Sequence, residues 1–234
     1  MTGIMMSTMP GVRRVFVALL VMLIVSIAAR PVHAQDPPPR IGPFVIDLHG
    51  TVPRFPSDDQ LLANSRGMRL AELPGSGLGL QVGAHFYLLR WRAVTFGIGG
   101  ELAASRARQT PAALSAAAIA AGIQPVRPAE ERFTSIAPQL SFNFGTGHGW
   151  SYISGGLGRS TWAIVPEGQE GFPPDADKLK TINYGGGARW FIKPHLAFSF
   201  DVRFYAINPG SAFGTFPGTP RTRLVVIGAG ISVK

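Results

Sequence analysis

From Phe44 onward, apolar and polar residues alternate with a period of two in eight separate stretches. In the first, Phe44, Ile46, Leu48, Gly50 and Val52 share one parity, and Val45, Asp47, His49 and Thr51 share the other. Successive side chains of a strand point to opposite faces, so each stretch predicts a strand with one apolar and one polar face. The next two run from Leu78 to Leu88 and from Val94 to Ala104, and a fourth from Ile136 to Phe144. The fifth, Trp150 to Trp162, has a facing the pattern leaves open, because Ile153 and Leu157 oppose Trp150 and Tyr152 in parity. Ile182 to Ile192, His195 to Ile207 and Arg223 to Val233 complete the set.

The connections alternate in length. Those spanning 53–77, 106–132, 165–178 and 208–221 are long, whereas Arg90–Arg92, Gly145–Gly149 and Lys193–His195 are short. An even number of strands with long loops at one end and tight turns at the other is the plan of an outer-membrane β-barrel. Strands of this length also match the roughly 9–11 residues that a tilted strand needs to cross a bilayer. The expected fold is all-β: an eight-stranded antiparallel up-and-down transmembrane barrel. Phe96, Phe142, Phe198, Phe200 and Phe204 then face lipid. Phe86, Phe144 and three tryptophans, Trp91, Trp150 and Trp190, are expected beside the short turns, with Phe44, Phe133, Trp162, Phe204 and Tyr205 near the opposite ends, as two interfacial girdles.

The beginning of the chain places this barrel. Arg13 and Arg14 precede an apolar run of 15 residues, Val15–Ala29, and "VHA" precedes Gln35. The run is short of the roughly 20 residues of a spanning helix, so residues 1–34 read as a cleaved secretory signal and 35–234 as the barrel domain. Removing Arg13, Arg14 and Arg30 lowers the formal charge from +9 to +6. No block of Lys or Arg accompanies that charge, which argues against nucleic acid. Charged residues make up 15% of the chain, against roughly 25% in soluble domains. The chain has no cysteine, which removes disulfides, thiolate nucleophiles and Cys-bound metal.

The polar face supplies the candidate chemistry: Asp47, His49, Gln81, His85, Glu101, Gln139, Asn143, Asn183, Arg189, Asp201 and Arg203 are expected to fill the lumen. An eight-stranded barrel is only wide enough to be filled by side chains, and buried charges persist when paired. Counting across the "KPH" turn puts Gly187 opposite Asp201 and Arg189 opposite Ser199, making Arg189 and Asp201 diagonal partners. No nucleophile stands at a recognisable spacing from His49 or His85, and the five histidines show no metal-ligand spacing. "VVIGAGISV" imitates a dinucleotide-binding turn, but Val233 takes the place of the third glycine and no helix follows it here. "GGLGRST" has Arg159 where a phosphate loop needs Lys. Both read as Gly-rich strands, and Pro138 predicts a bulge or strand boundary. In the second long loop, Thr110 as cap, Pro111, an alanine run and Gly122 predict a short helix.

"INYGGGARWFIKPHLAFSFDVRFY", "GLGLQVGAHFYLL" and "RTRLVVIGAGISVK" resemble the superfamily of small OmpA-type outer-membrane β-barrels over about 41–234. One departure is the ending "ISVK", where many such barrels carry an aromatic residue. The resemblance implies outer-membrane lipid as the surroundings and, through the loops, an extracellular or envelope protein as partner. Its members include anchors, adhesins and a few lipid-modifying enzymes, so fold cannot choose among them. The reading drawn from the residues is a non-enzymatic integral barrel without cofactor. A periplasmic lipocalin-like binder of a small apolar ligand is the alternative, with the apolar faces inverted, and a lipid-modifying enzyme is third.

Overall fold

The computed structural model describes residues 39–111, 113–167, 179–212 and 217–234. Its strands are β1 (Phe44–Arg54), β2 (Gly77–Trp91), β3 (Val94–Gln109), β4 (Ala129–Thr146), β5 (Gly149–Pro166), β6 (Leu179–Lys193), β7 (Leu196–Ile207) and β8 (Thr222–Val233). Each pairs antiparallel with the next, and β1 pairs with β8 to close the barrel. Closure removes both sheet edges, leaving no strand edge to be satisfied by lipid or water. The signal-peptide reading of residues 1–34 lies outside the described residues. Among those described, no helix is long and apolar enough to cross a membrane.

The facing of β7 decides between an integral barrel and a soluble one. Phe198 and Phe200 are on the outer surface, 47% and 39% exposed, whereas Ser199, Asp201 and Arg203 are buried. Phe96, Phe142 and Phe204 also lie on the outer face. The same outward rows recur around the wall, with Leu48, Leu80, Leu102, Leu140 and Ile231 among them. This is the reverse of a lipocalin-like arrangement and excludes that alternative. In β5, Ile153 and Leu157 turn outward while Trp150, Tyr152 and Trp162 turn inward, which settles the facing the pattern left open.

That facing corrects the aromatic assignment. Trp91 and Trp190 are 62% and 53% exposed at the turn end, but Trp150 and Trp162 are 3% and 1% exposed inside the barrel. Phe133 and Tyr205 are likewise internal, and Phe44 sits opposite Phe86 at the turn end rather than at the loop end. Proximity to a strand end predicted a girdle; parity, which decides inside from outside, overrules it.

The expected Gly187–Asp201 and Arg189–Ser199 register is present. Glycine is required where a neighbouring strand's backbone comes close. A Cβ on Gly187 would lie 2.0 Å from the Phe200 carbonyl oxygen and 2.9 Å from the Tyr152 hydroxyl. Pro138 makes no bulge. It stays opposite Gly100, and the pairing of β4 with β5 skips Ala137 and Pro138 without changing register. Proline lacks only its own N–H, so one rung is lost and the outward facing persists.

Candidate functional site

The lumen is filled by one polar system to which every strand contributes. Asp47 of β1 accepts from Arg189 of β6 at 2.7 and 2.5 Å and from Ser232 of β8 at 2.5 Å. The Arg189 guanidinium also lies 3.9 Å from the centre of the Tyr152 ring. Tyr152 of β5 donates to Asp201 at 2.6 Å, and Asp201 accepts from Arg203 at 2.9 and 3.1 Å. Arg203 also pairs with Glu101 of β3 at 2.8 Å. Glu101 accepts in turn from Gln81 of β2, Gln139 of β4, Asn183 and Tyr205 at 2.6–3.3 Å. His85 joins through Gln139, and Asn143 donates to Ser141 and to the Thr95 carbonyl.

All the residues expected to be inward are therefore internal, but one pairing differs. Arg189 reaches across the lumen to Asp47 instead of its diagonal neighbour Asp201, which is held by Arg203 two residues along the same strand. A guanidinium on a long stem can span a narrow barrel, a contact that neighbour counting along a hairpin does not contain. Tyr152, Tyr205, Ser199 and Ser232 lie outside the expected inward polar set, Tyr205 having been assigned to a girdle. Their parity was the available signal. His49 Nε2 and Ser199 Oγ share a 2.7 Å hydrogen bond, a pair brought together only by the closure of β7 and β8 onto β1. Both residues are buried, and the adjacent Asp47 is occupied by Arg189 and Ser232.

Apolar residues close both ends of this polar column. At the loop end, the first long loop brings Phe55, Leu62, Ala63, Met68 and Leu73 onto Phe133, Trp162, Tyr205, Ile207 and Leu224 of the wall. The loop is shaped by a helix at Gln60–Ser65, capped by Asp59, whose carboxylate accepts from the Leu61 and Leu62 N–H groups. That cap is a sequence signal the alternation-based reading passed over. Trp162 donates to Glu131 at 2.6 Å, and Phe133 meets Tyr205 edge-on at 5.1 Å. At the turn end, Ile41, Val45 and Trp150 pack with Tyr87 and Phe191. Trp150 and Phe191 stack at 5.0 Å beneath the Lys234 ammonium.

Above the cap, Glu72 fastens the first loop to the second. It accepts from the Arg69 backbone at 2.8 Å, the Arg127 backbone at 3.2 Å and both guanidinium groups. Burial opposes the Glu72 charge, but the hydrogen bonds from Arg127 and Arg69 outweigh it and hold the carboxyl down to about 2. The second loop carries its short helix at Ala116–Ala120, capped by Ser115 rather than Thr110, with Gly122 beyond it at a φ of +74°. Ser115 supplies a hydroxyl to the Ala118 N–H directly before the alanines, so the helix starts later than expected. Leu61, Ile119 and Ile123 are exposed on this loop face.

No family profile and no curated protein matches the sequence. Among solved structures, Neisserial surface protein A matches with a TM-score of 0.51 at 12% identity, covering 82% of this chain and 97% of that one. The attachment invasion locus protein Ail of Yersinia pestis matches at 0.47 and 12%, covering 81% and 96%. The outer membrane enzyme PagL matches at 0.43 and 11%, covering 81% and 98%. The chain has the fold of the small eight-stranded outer-membrane β-barrels. Its apolar exterior suits lipid and no other solvent: an uncovered apolar wall of this extent is foreign to soluble monomers. Fold and exterior together make it a membrane-spanning barrel of the outer-membrane type, with its long loops at one end and its tight turns at the other.

Proposed function

We propose that the protein is a non-enzymatic surface barrel whose lumen is closed and whose extracellular loop face contacts an envelope or extracellular protein. The observation that carries this reading is the loop end. The first loop folds into the mouth as an apolar stopper, the Glu72 clamp ties it to the second, and Leu61, Ile119 and Ile123 are left on its outer side. A filled polar column beneath a stopper favours no passage, so the wall acts as an anchor and the loops as the working part. The His49–Ser199 pair is buried between the two apolar closures and supports the lumen.

Adhesion of cells displaying the chain tests the reading. Wild-type cells are expected to aggregate or to attach to protein-coated surfaces more than cells displaying Leu61→Ser/Ile119→Ser/Ile123→Ser at equal abundance, and neither barrel should give discrete channels in planar bilayers. Equal attachment by both, or stable conductance steps, would contradict it.

A further inference from the structure

The outward row of β5 ends at Arg159 and that of β6 at Lys180, and the two stand directly opposite each other in the ladder. Both are exposed. Like charges directly opposite across a strand pair are destabilising without an anion between them. Elsewhere on the wall that anion is built in. Arg106 and Arg132 also stand opposite each other on β3 and β4, and the Glu130 carboxylate accepts from both. No carboxylate among the described residues pairs with Arg159 or Lys180.

The height of these cations names the surroundings. Lys180 lies ten positions along β6 from the exposed Trp190 of the turn-end girdle, and Arg159 ten along β5 from Gly149. Ten residues rising about 3.3 Å each, tilted by about 40°, climb about 25 Å, the height of the apolar band of such barrels. Arg54, Arg106, Arg132 and Arg223 lie just beyond the apolar part of the outward rows of four other strands at similar distances. Of the aromatic girdle expected at this end only Phe204 faces outward there, and beyond it stands a cationic collar at the polar edge of the outer leaflet.

Directly below Arg159 and Lys180 the wall is hollowed. A groove of about 590 Å³ runs between them and Ile136, Pro138, Leu157 and Ile182. It continues toward the turn end into a second groove of about 770 Å³, which also includes Pro138, Leu157 and Ile182 and reaches Tyr184. The hollow follows from local sequence. Gly155 leaves an outward position bare opposite Leu140, and Pro138 stands diagonally from it at the interrupted rung.

We propose that Arg159 and Lys180, with the groove beneath them, bind one phosphorylated, multiply acylated lipid of the outer leaflet, its phosphate between the two cations and an acyl chain in the groove. The site rests on the membrane-spanning reading of the barrel. Charge complementarity selects the head, since ammonium and guanidinium groups donate charge-assisted hydrogen bonds to phosphate. The apolar floor selects a lipid over a free anion.

The full chain in phosphatidylcholine nanodiscs, titrated with bisphosphorylated hexa-acyl lipid A and read by native mass spectrometry, tests this. Binding of about one lipid per barrel is expected, weakened about tenfold or more in Arg159→Gln/Lys180→Gln. Arg106→Gln/Arg132→Gln, whose charges Glu130 already serves, should change it less than about threefold. Equal binding by the first variant, equal loss in both, or equal binding of dephosphorylated lipid A overturns the site. Displacement by millimolar inorganic phosphate would assign the cations to a free anion and overturn it as well. Both variants alter exposed side chains, and gel mobility before and after boiling checks the barrel independently. A chain that does not enter the nanodisc would refute the membrane reading itself, a result separate from loss of lipid binding by an inserted barrel.

Discussion

At the scale of single residues, the interior is decided by who pairs with whom across the lumen. Arg189 is almost wholly buried and its carboxylate partner is Asp47. Removing one member of a buried pair leaves an uncompensated charge, a loss of about 3–5 kcal/mol. Asp47→Ala is therefore expected to lower the urea midpoint of the refolded barrel strongly. Ser199→Ala, which gives up one hydrogen bond to His49, should cost about 1 kcal/mol. Urea titration of both variants, read as the fraction of barrel migrating in its unheated position, separates the two. Similar midpoints would mean that the Asp47–Arg189 pair is dispensable. The eleven inward polar residues were legible from parity alone, because period two assigns a side to every residue. Their partners were not, since Asp47 and Arg189 are far apart in sequence and on strands that never pair.

Among elements, the strands were legible and the loops much less so. All eight strands lie where alternation put them, but β3, β4 and β5 run further toward the loop end, to Gln109, Ala129 and Pro166. Above the lipid the outer face no longer needs apolar residues, so the alternating signal fades while the ladder continues. Arg106, Arg132 and Arg159 mark that change. In the sequence these three are scattered among different segments, and only the barrel register lines them up as a collar. The helix at Gln60–Ser65 left a weaker trace, a single Asp59 cap before a short apolar run.

The clamp between the first two loops carries a pH signature. Glu72 titrates below its ordinary 4.5, at about 2, in the folded protein. Its contribution is therefore fully present above about pH 4.5 and is lost as pH falls from there through 2. Amide hydrogen exchange, corrected for intrinsic rates, should show protection around Leu70–Glu72 and Arg127 falling over that window while the strands stay protected. Glu72→Gln should reduce this protection at pH 7 and remove most of its acid dependence. Unchanged exchange in the variant would mean that the apolar stopper alone holds the loop.

For the whole molecule, one inversion organises everything else: the apolar face is outside and the charged face inside. Low overall charge and alternating loop lengths each pointed to it, and together they outweighed the inability of any single strand to tell core from lipid. The tryptophans misled where strand ends were used in place of parity. The absence of cysteine gives the direct test of this inversion. Single cysteines at Leu140, Phe198, Phe200 and Ile231, spin-labelled in the full chain refolded into bilayers, report collision rates with dissolved oxygen and with a water-soluble nickel chelate. Each site is expected to meet oxygen far more often than nickel, with the ratio highest at mid-wall. A chain that stays monodisperse without detergent, with all four labels shielded from both reagents, would place these side chains in a core and contradict the barrel in lipid.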